Sequence, residues 1–194
     1  MQPARKRGSA PTGMGVNRYR IQNGYATDIF KGNKVATNTA GYLCAVTIES
    51  SINELNPIGV FQGCEYTDPT TKVPTWSRYW PAATSSYGDT VAYGLVYDDP
   101  GMTFYVQADA SLTAGDLGRN FNIVASATAN EGSTVTGRGT THMDVGTRTT
   151  AIADVRVIGF DVPGNVTPVV SVSSDAFPIV EVQWVRHRSL ITSV

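Results

Sequence analysis

Two histidines, two cysteines and a short acidic stretch are the residues of this 194-residue chain whose types could do chemistry. His142 lies in a Thr-rich segment, and His187 stands between Arg186 and Arg188. An imidazole between two cations, with no carboxylate beside it in the sequence, reads as neutral surface and not as a general base. No Ser or Cys occupies a nucleophile-elbow context, and neither an HExxH pair nor a phosphate-cradling P-loop occurs. The stretch "YDDPGMTFYVQAD" holds Asp98, Asp99 and Asp109, with Asp116 further on. Their oxygens could gather around a hard cation such as Ca²⁺, although the spacing is not that of an EF-hand loop. The competing reading is a tight turn, with Asp first, Pro100 fixing φ and Gly101 taking a positive φ. A carbohydrate-cleaving enzyme would need Asp98 and Asp109 paired in one cleft. Because no recognisable constellation emerges, a non-enzymatic chain without cofactor or metal is expected.

Cys44 in "GYLCAV" and Cys64 in "FQGCEY" each have apolar or aromatic neighbours. Buried reduced thiols are the expectation, with a disulfide or a metal role as alternatives, since two thiols alone do not make a zinc site. Such thiols imply a reducing place of synthesis. The charged start is not followed by an apolar run of signal-peptide length, and no stretch approaches a membrane span, so neither secretion nor membrane insertion is expected.

Charge is distributed unevenly. The first twenty residues, "MQPARKRGSAPTGMGVNRYR", contain five of the fifteen Lys and Arg residues and no acid, while the rest holds all sixteen acids and stands at -6. Glycines and prolines interrupt any periodic face here, so residues 1–20 read as an extended basic arm. Arg5, Lys6, Arg7, Arg18 and Arg20, with Tyr19, could clamp an acidic protein surface as the arm orders on binding. They could instead hold phosphates weakly, or form a solvated tail. The body offers no extended basic face to align a duplex, so nucleic acid is not the expected partner. A second contact patch is expected in "TWSRYWPA", where Trp76, Tyr79 and Trp80 flank Arg78: rigid rings bury area at small entropic cost and a guanidinium stacks on them. A loop folded back over the core is the competing reading of those residues.

These groups must be positioned by strands. From Ile21 the chain turns to short runs rich in Val, Ile, Thr, Tyr and Phe, broken by Gly, Asn, Asp and Pro, which is an all-β pattern. A small barrel or sandwich is expected, organised as the arm over 1–20 and one β-rich domain over 21–194. In "ADVRVIGF" the alternation of Val155, Val157 and Phe160 slips at Gly159, where a bulge fits. "VEVQWVRHR" sets Val180, Val182 and Trp184 on a buried face and Glu181, Gln183 and Val185 on an open one. Connector helices are expected at "ESSINEL" (49–55) and as a single turn in "LTAGDLGRN", capped by Thr113 and Asp116 and closed by Gly118. The Thr- and Gly-rich segment 126–151 reads as a solvent-facing hairpin.

The run "NGYATDIFKGNKV", followed by "PIGVFQGCEYTD", "YWPA", "VYDDPGMTFYVQAD" and "LTAGDLGRNF", resembles the small β-rich capsid decoration, or cement, proteins of tailed bacteriophages, particularly podoviruses. The resemblance covers roughly Ile21 to Phe160 and rests on texture, not on a catalytic signature. At "IFKGNKV", where that pattern leads one to expect an acid after the glycine, this chain has Asn33. The resemblance implies a structural protein on the outer surface of an icosahedral head, made in the bacterial cytoplasm. Its partner there would be the major capsid protein, bridged at three-fold or quasi-three-fold positions by an oligomer such as a trimer. The alternative is a tail, head-fibre or adhesin module that meets the host surface through the aromatic loop and the Thr-rich hairpin.

Overall fold

The computed structural model describes residues 1–6, 15–46, 57–88, 90–124, 132–160 and 176–190. Among these residues the regular structure is strands and one short 3-10 turn, and no helix is long and apolar enough to cross a membrane. The all-β expectation holds. The helix expected at 49–55 lies outside the described residues.

The chain divides into two compact units, Met14–Asp98 with Ala125–Thr140, and Met1–Gly13 with Asp99–Val124 and Thr141–Val194. The first contains a closed five-stranded barrel. Its strands run in the order β4 (Lys34–Thr37), β5 (Leu43–Ala45), β2 (Val16–Ile21), β9 (Ala92–Tyr97) and β6 (Gly59–Thr67), and β6 pairs back onto β4 to close it. Closure leaves these five strands no open edge where the ring is complete. β7 (Pro74–Ser77) then extends β6 on the outside.

Alternation fills the barrel. Ile21, Val35, Leu43, Phe61, Cys64, Ala92 and Val96 form its buried cluster, each large member contributing about 1.5–3 kcal/mol of burial. Phe61 and Cys64 are three residues apart yet both inward, because a register shift between Phe61 and Gly63 resets the alternation of β6. Gly94 on β9 is required where the interior is tightest: a Cβ there would stand 2.3 Å from Leu43 Cδ2. A two-stranded ribbon of β3 (Ile29–Phe30) and β8 (Tyr79–Trp80) adds Ile29 and Trp80 to the cluster, and a hairpin of β12 (Gly132–Ser133) and β13 (Arg138–Gly139) completes the unit.

The second unit is built on a six-stranded antiparallel sheet in the order β1 (Gln2–Lys6), β10 (Met102–Gln107), β16 (Ile179–Trp184), β15 (Val155–Gly159), β11 (Asn120–Val124) and β14 (His142–Thr149). Phe104, Val106, Phe121, Ile123, Met143, Val155, Val157, Val180 and Val182 are among its buried side chains. The bulge expected at Gly159 is present as a register shift between Val157 and Gly159. Val180, Val182 and Trp184 are buried as expected, but so is Glu181 on the other face, where its carboxylate accepts the Thr103 hydroxyl at 2.7 Å. A hydrogen-bonded partner lets a charged side chain occupy that enclosed position.

The single turn after Leu112 is also present. Residues Ala114–Asp116 form it, the Asp116 carboxylate accepts both the Thr113 amide (2.8 Å) and its hydroxyl (2.9 Å), and Gly118 takes φ +81°. The "DDPG" turn differs in detail. Its first residue is Asp99, whose carbonyl accepts the Met102 amide at 3.0 Å, and Gly101 is not among the residues with positive φ. The Asp99 carboxylate instead receives the Gly101 amide at 2.8 Å, a side-chain turn that needs no left-handed residue.

Two expectations about organisation change. The described parts of the segment read as an arm are strands: β1 lies on the edge of the six-stranded sheet and β2 is a member of the barrel, paired along its whole length with β9. Backbone ladder bonds, which the charge count could not register, hold these residues. The Thr-rich segment is not one solvent-facing hairpin either, since Gly132–Gly139 belongs to the barrel unit and His142–Thr149 pairs with β11 in the other.

Candidate functional site

An open groove of about 380 Å³ lies on the outside of the barrel, lined by Arg18, Glu65, Tyr66, Thr67, Pro74, Thr75, Trp76, Val91 and Tyr93. Register explains its composition. Glu65 on β6 stands opposite Trp76 on one side and Tyr93 on the other, so three outward side chains form a row across β7, β6 and β9. Arg18, on the next strand, reaches diagonally into that row: its guanidinium lies over the Tyr93 ring at 4.4 Å and donates to the Glu65 carboxylate at 2.6 Å. Both charged side chains are about half exposed, so the pair contributes little stability. What it does is neutralise the groove and fix the guanidinium plane.

Trp76 is half exposed, and Val73 and Val91 beside this edge are exposed as well. The outer side of β7 pairs with no described strand. A neutral floor, a rigid ring and an open edge make a surface suited to contact, not to proton transfer.

The residues expected to act fall into different places. Arg5 and Lys6 lie on β1, and Arg7 is outside the described residues. Arg18 and Trp76, expected in separate patches, line the same groove. Arg20 stands opposite Tyr93 on β2. Tyr19 faces the other way, packs against the barrel cluster and donates its hydroxyl to Asp98 at 2.7 Å. Arg78 is exposed at the bend between β7 and β8. Tyr79 stacks on Phe30 with ring centres 5.4 Å apart.

Trp80 corrects the expected patch. Antiparallel pairing with Ile29 turns its indole into the barrel cluster, where it is wholly buried, so the alternative of a segment folded over the core applies to this residue. Glu65 and Tyr93 were not singled out from the sequence. Alternation in "QGCEY" and "VAYGLVY" could place them outward, but only the β6–β7 and β6–β9 registers make them neighbours of Trp76.

The titratable groups serve structure. Both carboxylate oxygens of Asp98 accept from the Asn17 side-chain amide nitrogen, at 2.8 and 2.9 Å, and one of them also accepts the Tyr19 hydroxyl. Asp109 accepts the Val145 amide at 2.9 Å. Asp116 is buried and accepts Arg148 Nε at 2.8 Å. Among the described residues no three His, Cys, Asp or Glu side chains gather closely enough to hold a metal ion. His142 begins β14 opposite Val124. His187 is buried and not on the surface: its ring packs 6.3 Å from that of Trp184, and its Nδ1 lies 2.8 Å from the Ser189 hydroxyl.

Cys44 and Cys64 are both buried and unbridged. Burial pushes the Cys64 thiol up to about 12 and raises Cys44 as well, against the lowering effect of a backbone hydrogen bond at Ser77 and at Ala36 respectively. Thiols held so far from ionisation are inert packing groups.

A scan against protein-family models finds no match, and searches of curated proteins and of solved structures find none either.

Proposed function

We propose that this chain is a non-enzymatic structural protein of a virion that attaches to the outer surface of a tailed-phage head and ties neighbouring major capsid proteins together. The observation that carries the reading is the groove at β7, where half-exposed Trp76 stands beside an Arg18 guanidinium already oriented by Glu65 and Tyr93. An aromatic anchor next to a fixed guanidinium, on a strand with an open edge, is what a protein contact uses. The sequence resemblance supplies the setting in which that contact is made.

The described parts of residues 1–20 are strands here, so the attachment is assigned to the barrel exterior and not to a free arm. Copies of the chain at three-fold positions would each present this groove to an adjacent capsid subunit. Two contacts made by one assembly hold more firmly than either alone, because release requires both to open together.

The test is occupancy on isolated heads, read by gel densitometry. Wild-type protein should saturate at hundreds of copies, of the order set by an icosahedral lattice. Trp76→Ala combined with Arg18→Ala should remain folded and leave heads largely bare. Equal occupancy by this variant overturns the reading, and a handful of copies per particle points to the fibre or adhesin role instead.

A further inference from the structure

Three cations from distant parts of the sequence stand side by side in the barrel unit. The β3–β8 register, Ile29 opposite Trp80 and Phe30 opposite Tyr79, continues one step to bring Lys31 opposite Arg78, and the Lys31 amide donates to the Arg78 carbonyl at 3.0 Å. Lys31 also bridges to Arg138. Its amide is shared with the Gly137 carbonyl at 3.0 Å, and its own carbonyl accepts the Gly139 amide at 2.9 Å. Gly137, at φ +69°, sits directly over Arg78, where a Cβ would come within 2.6 Å of Arg78 Cβ. The Lys31 amide is thus shared by the Arg78 and Gly137 carbonyls, and the backbone gathers Arg78, Lys31 and Arg138 into one cluster on that side of Lys31.

Like charges placed opposite one another repel. Arg78 and Arg138 are exposed and Lys31 is half-buried, and among the described residues no carboxylate pairs with any of the three. Burial, with the charges of Arg78 and Arg138, holds the Lys31 ammonium below the usual lysine range. Among the described residues Arg18 is matched with Glu65 and Arg148 with Asp116, while this cluster has no such match.

We infer that the Arg78–Lys31–Arg138 cluster is an oxyanion site that takes a phosphate or sulfate ester group. Guanidinium forks match the oxygens of such groups, and an ammonium beside them adds a point charge. A single carboxylate would satisfy one fork and leave two positive charges facing each other. A tetrahedral group offers three or four oxygens, enough to engage the whole cluster.

The experiment uses the full chain at fixed ionic strength, with thermal unfolding and titration calorimetry against inorganic phosphate, polyphosphate, a sulfated oligosaccharide and polyglutamate. Phosphate and sulfate ligands should raise the melting temperature, and Arg78→Gln and Arg138→Gln should each weaken binding by about tenfold. Lys31→Gln removes one of the mutually repelling charges, so without ligand it should melt no lower than wild type while losing the ligand-induced rise. Preference for polyphosphate over the sulfated oligosaccharide, or the reverse, identifies the source of the group. Binding that survives all three substitutions overturns the site, and polyglutamate competing equally well overturns its assignment to a tetrahedral oxyanion.

Discussion

The Tyr19 hydroxyl donates to the Asp98 carboxylate at 2.7 Å, tying the middle of β2 to the residue that follows β9. Asn17 donates to the same carboxylate through its amide at 2.8 and 2.9 Å. A residue that composition alone assigns to an extended arm is thus fixed at both its backbone and its side chain. Tyr19→Phe removes one hydrogen bond to a charged acceptor and should cost about 1.5 kcal/mol, near the low end for such bonds because the site is only partly buried. Tyr19→Ala also loses packing against the barrel cluster and should cost more. Denaturant midpoints of the two variants check this, and equal midpoints for wild type and Tyr19→Ala would contradict it.

Asp116 and Arg148 offer a second measurement. Asp116 is buried and serves three donors, Thr113 N, Thr113 Oγ1 and Arg148 Nε. Asp116→Ala removes the acceptor of the turn and leaves the Thr113 donors without it, while half-exposed Arg148 turns to solvent, so a loss of about 1–3 kcal/mol is expected. Arg148→Ala leaves the carboxylate with its two capping donors and should cost less. A double-mutant cycle should return a clear coupling energy; additive effects of the two changes would show that the pair is not coupled.

The barrel interior should resist added volume at Gly94. Gly94→Ala places a methyl against Leu43 and Phe61 and should cost about 1–3 kcal/mol, while Gly94→Ala combined with Leu43→Ala should recover part of the loss caused by the new methyl. Equilibrium unfolding of the single and double variants decides the matter, since no recovery would mean that the backbone and not Leu43 limits the space.

Alkaline pH should loosen the protein through its buried thiols. The Cys64 thiol is held by burial at about 12 against an ordinary value of 9.0, and Cys44, Tyr66 and Tyr97 are raised in the same direction. The unfolded chain releases these protons first, so their contribution is whole below about pH 9 and is lost as pH climbs toward 12. Unfolding free energies across that range should fall steadily. At pH 8 a thiol reagent should modify the native protein slowly and both cysteines rapidly in denaturant; fast native labelling of Cys64 would refute its burial.

Strand texture made the all-β class legible, and local chemistry made the Thr113–Asp116 turn and the Gly159 bulge legible, because each depends on residues within a few positions of one another. The groove was not legible in the same way. Glu65, Trp76, Tyr93 and Arg18 meet only through strand registers between segments far apart in sequence, and periodicity states which face a side chain takes without naming its neighbour across the strand. That Val16–Arg20 pairs within the barrel was hidden for a related reason. "VNRYRI" carries too few apolar residues to announce a strand, yet its partner β9 supplies the ladder bonds and lets Ile21 enter the core.

Trp76 and Trp80, four positions apart, make the sharpest contrast the chain allows. Both stand in "TWSRYW", but the bend at Arg78 ends β7 and starts β8, so the first ring lies outside the barrel and the second inside it. Trp76 is half exposed, and Trp76→Ala should change the unfolding free energy by no more than about 1 kcal/mol, within the range of surface substitutions, while removing the main apolar anchor of the groove. Trp80 is wholly buried among Ile29, Phe61 and their neighbours, with the Tyr66 ring edge-on at 5.4 Å, and Trp80→Ala should cost about 3–5 kcal/mol. Unfolding and head-binding assays on the same two proteins separate the roles: the Trp76 variant should be stable and bind poorly, and the Trp80 variant should be unstable. Were Trp76→Ala the more destabilising change, the assignment of inside and outside along this segment would be reversed, and the groove would lose its anchor.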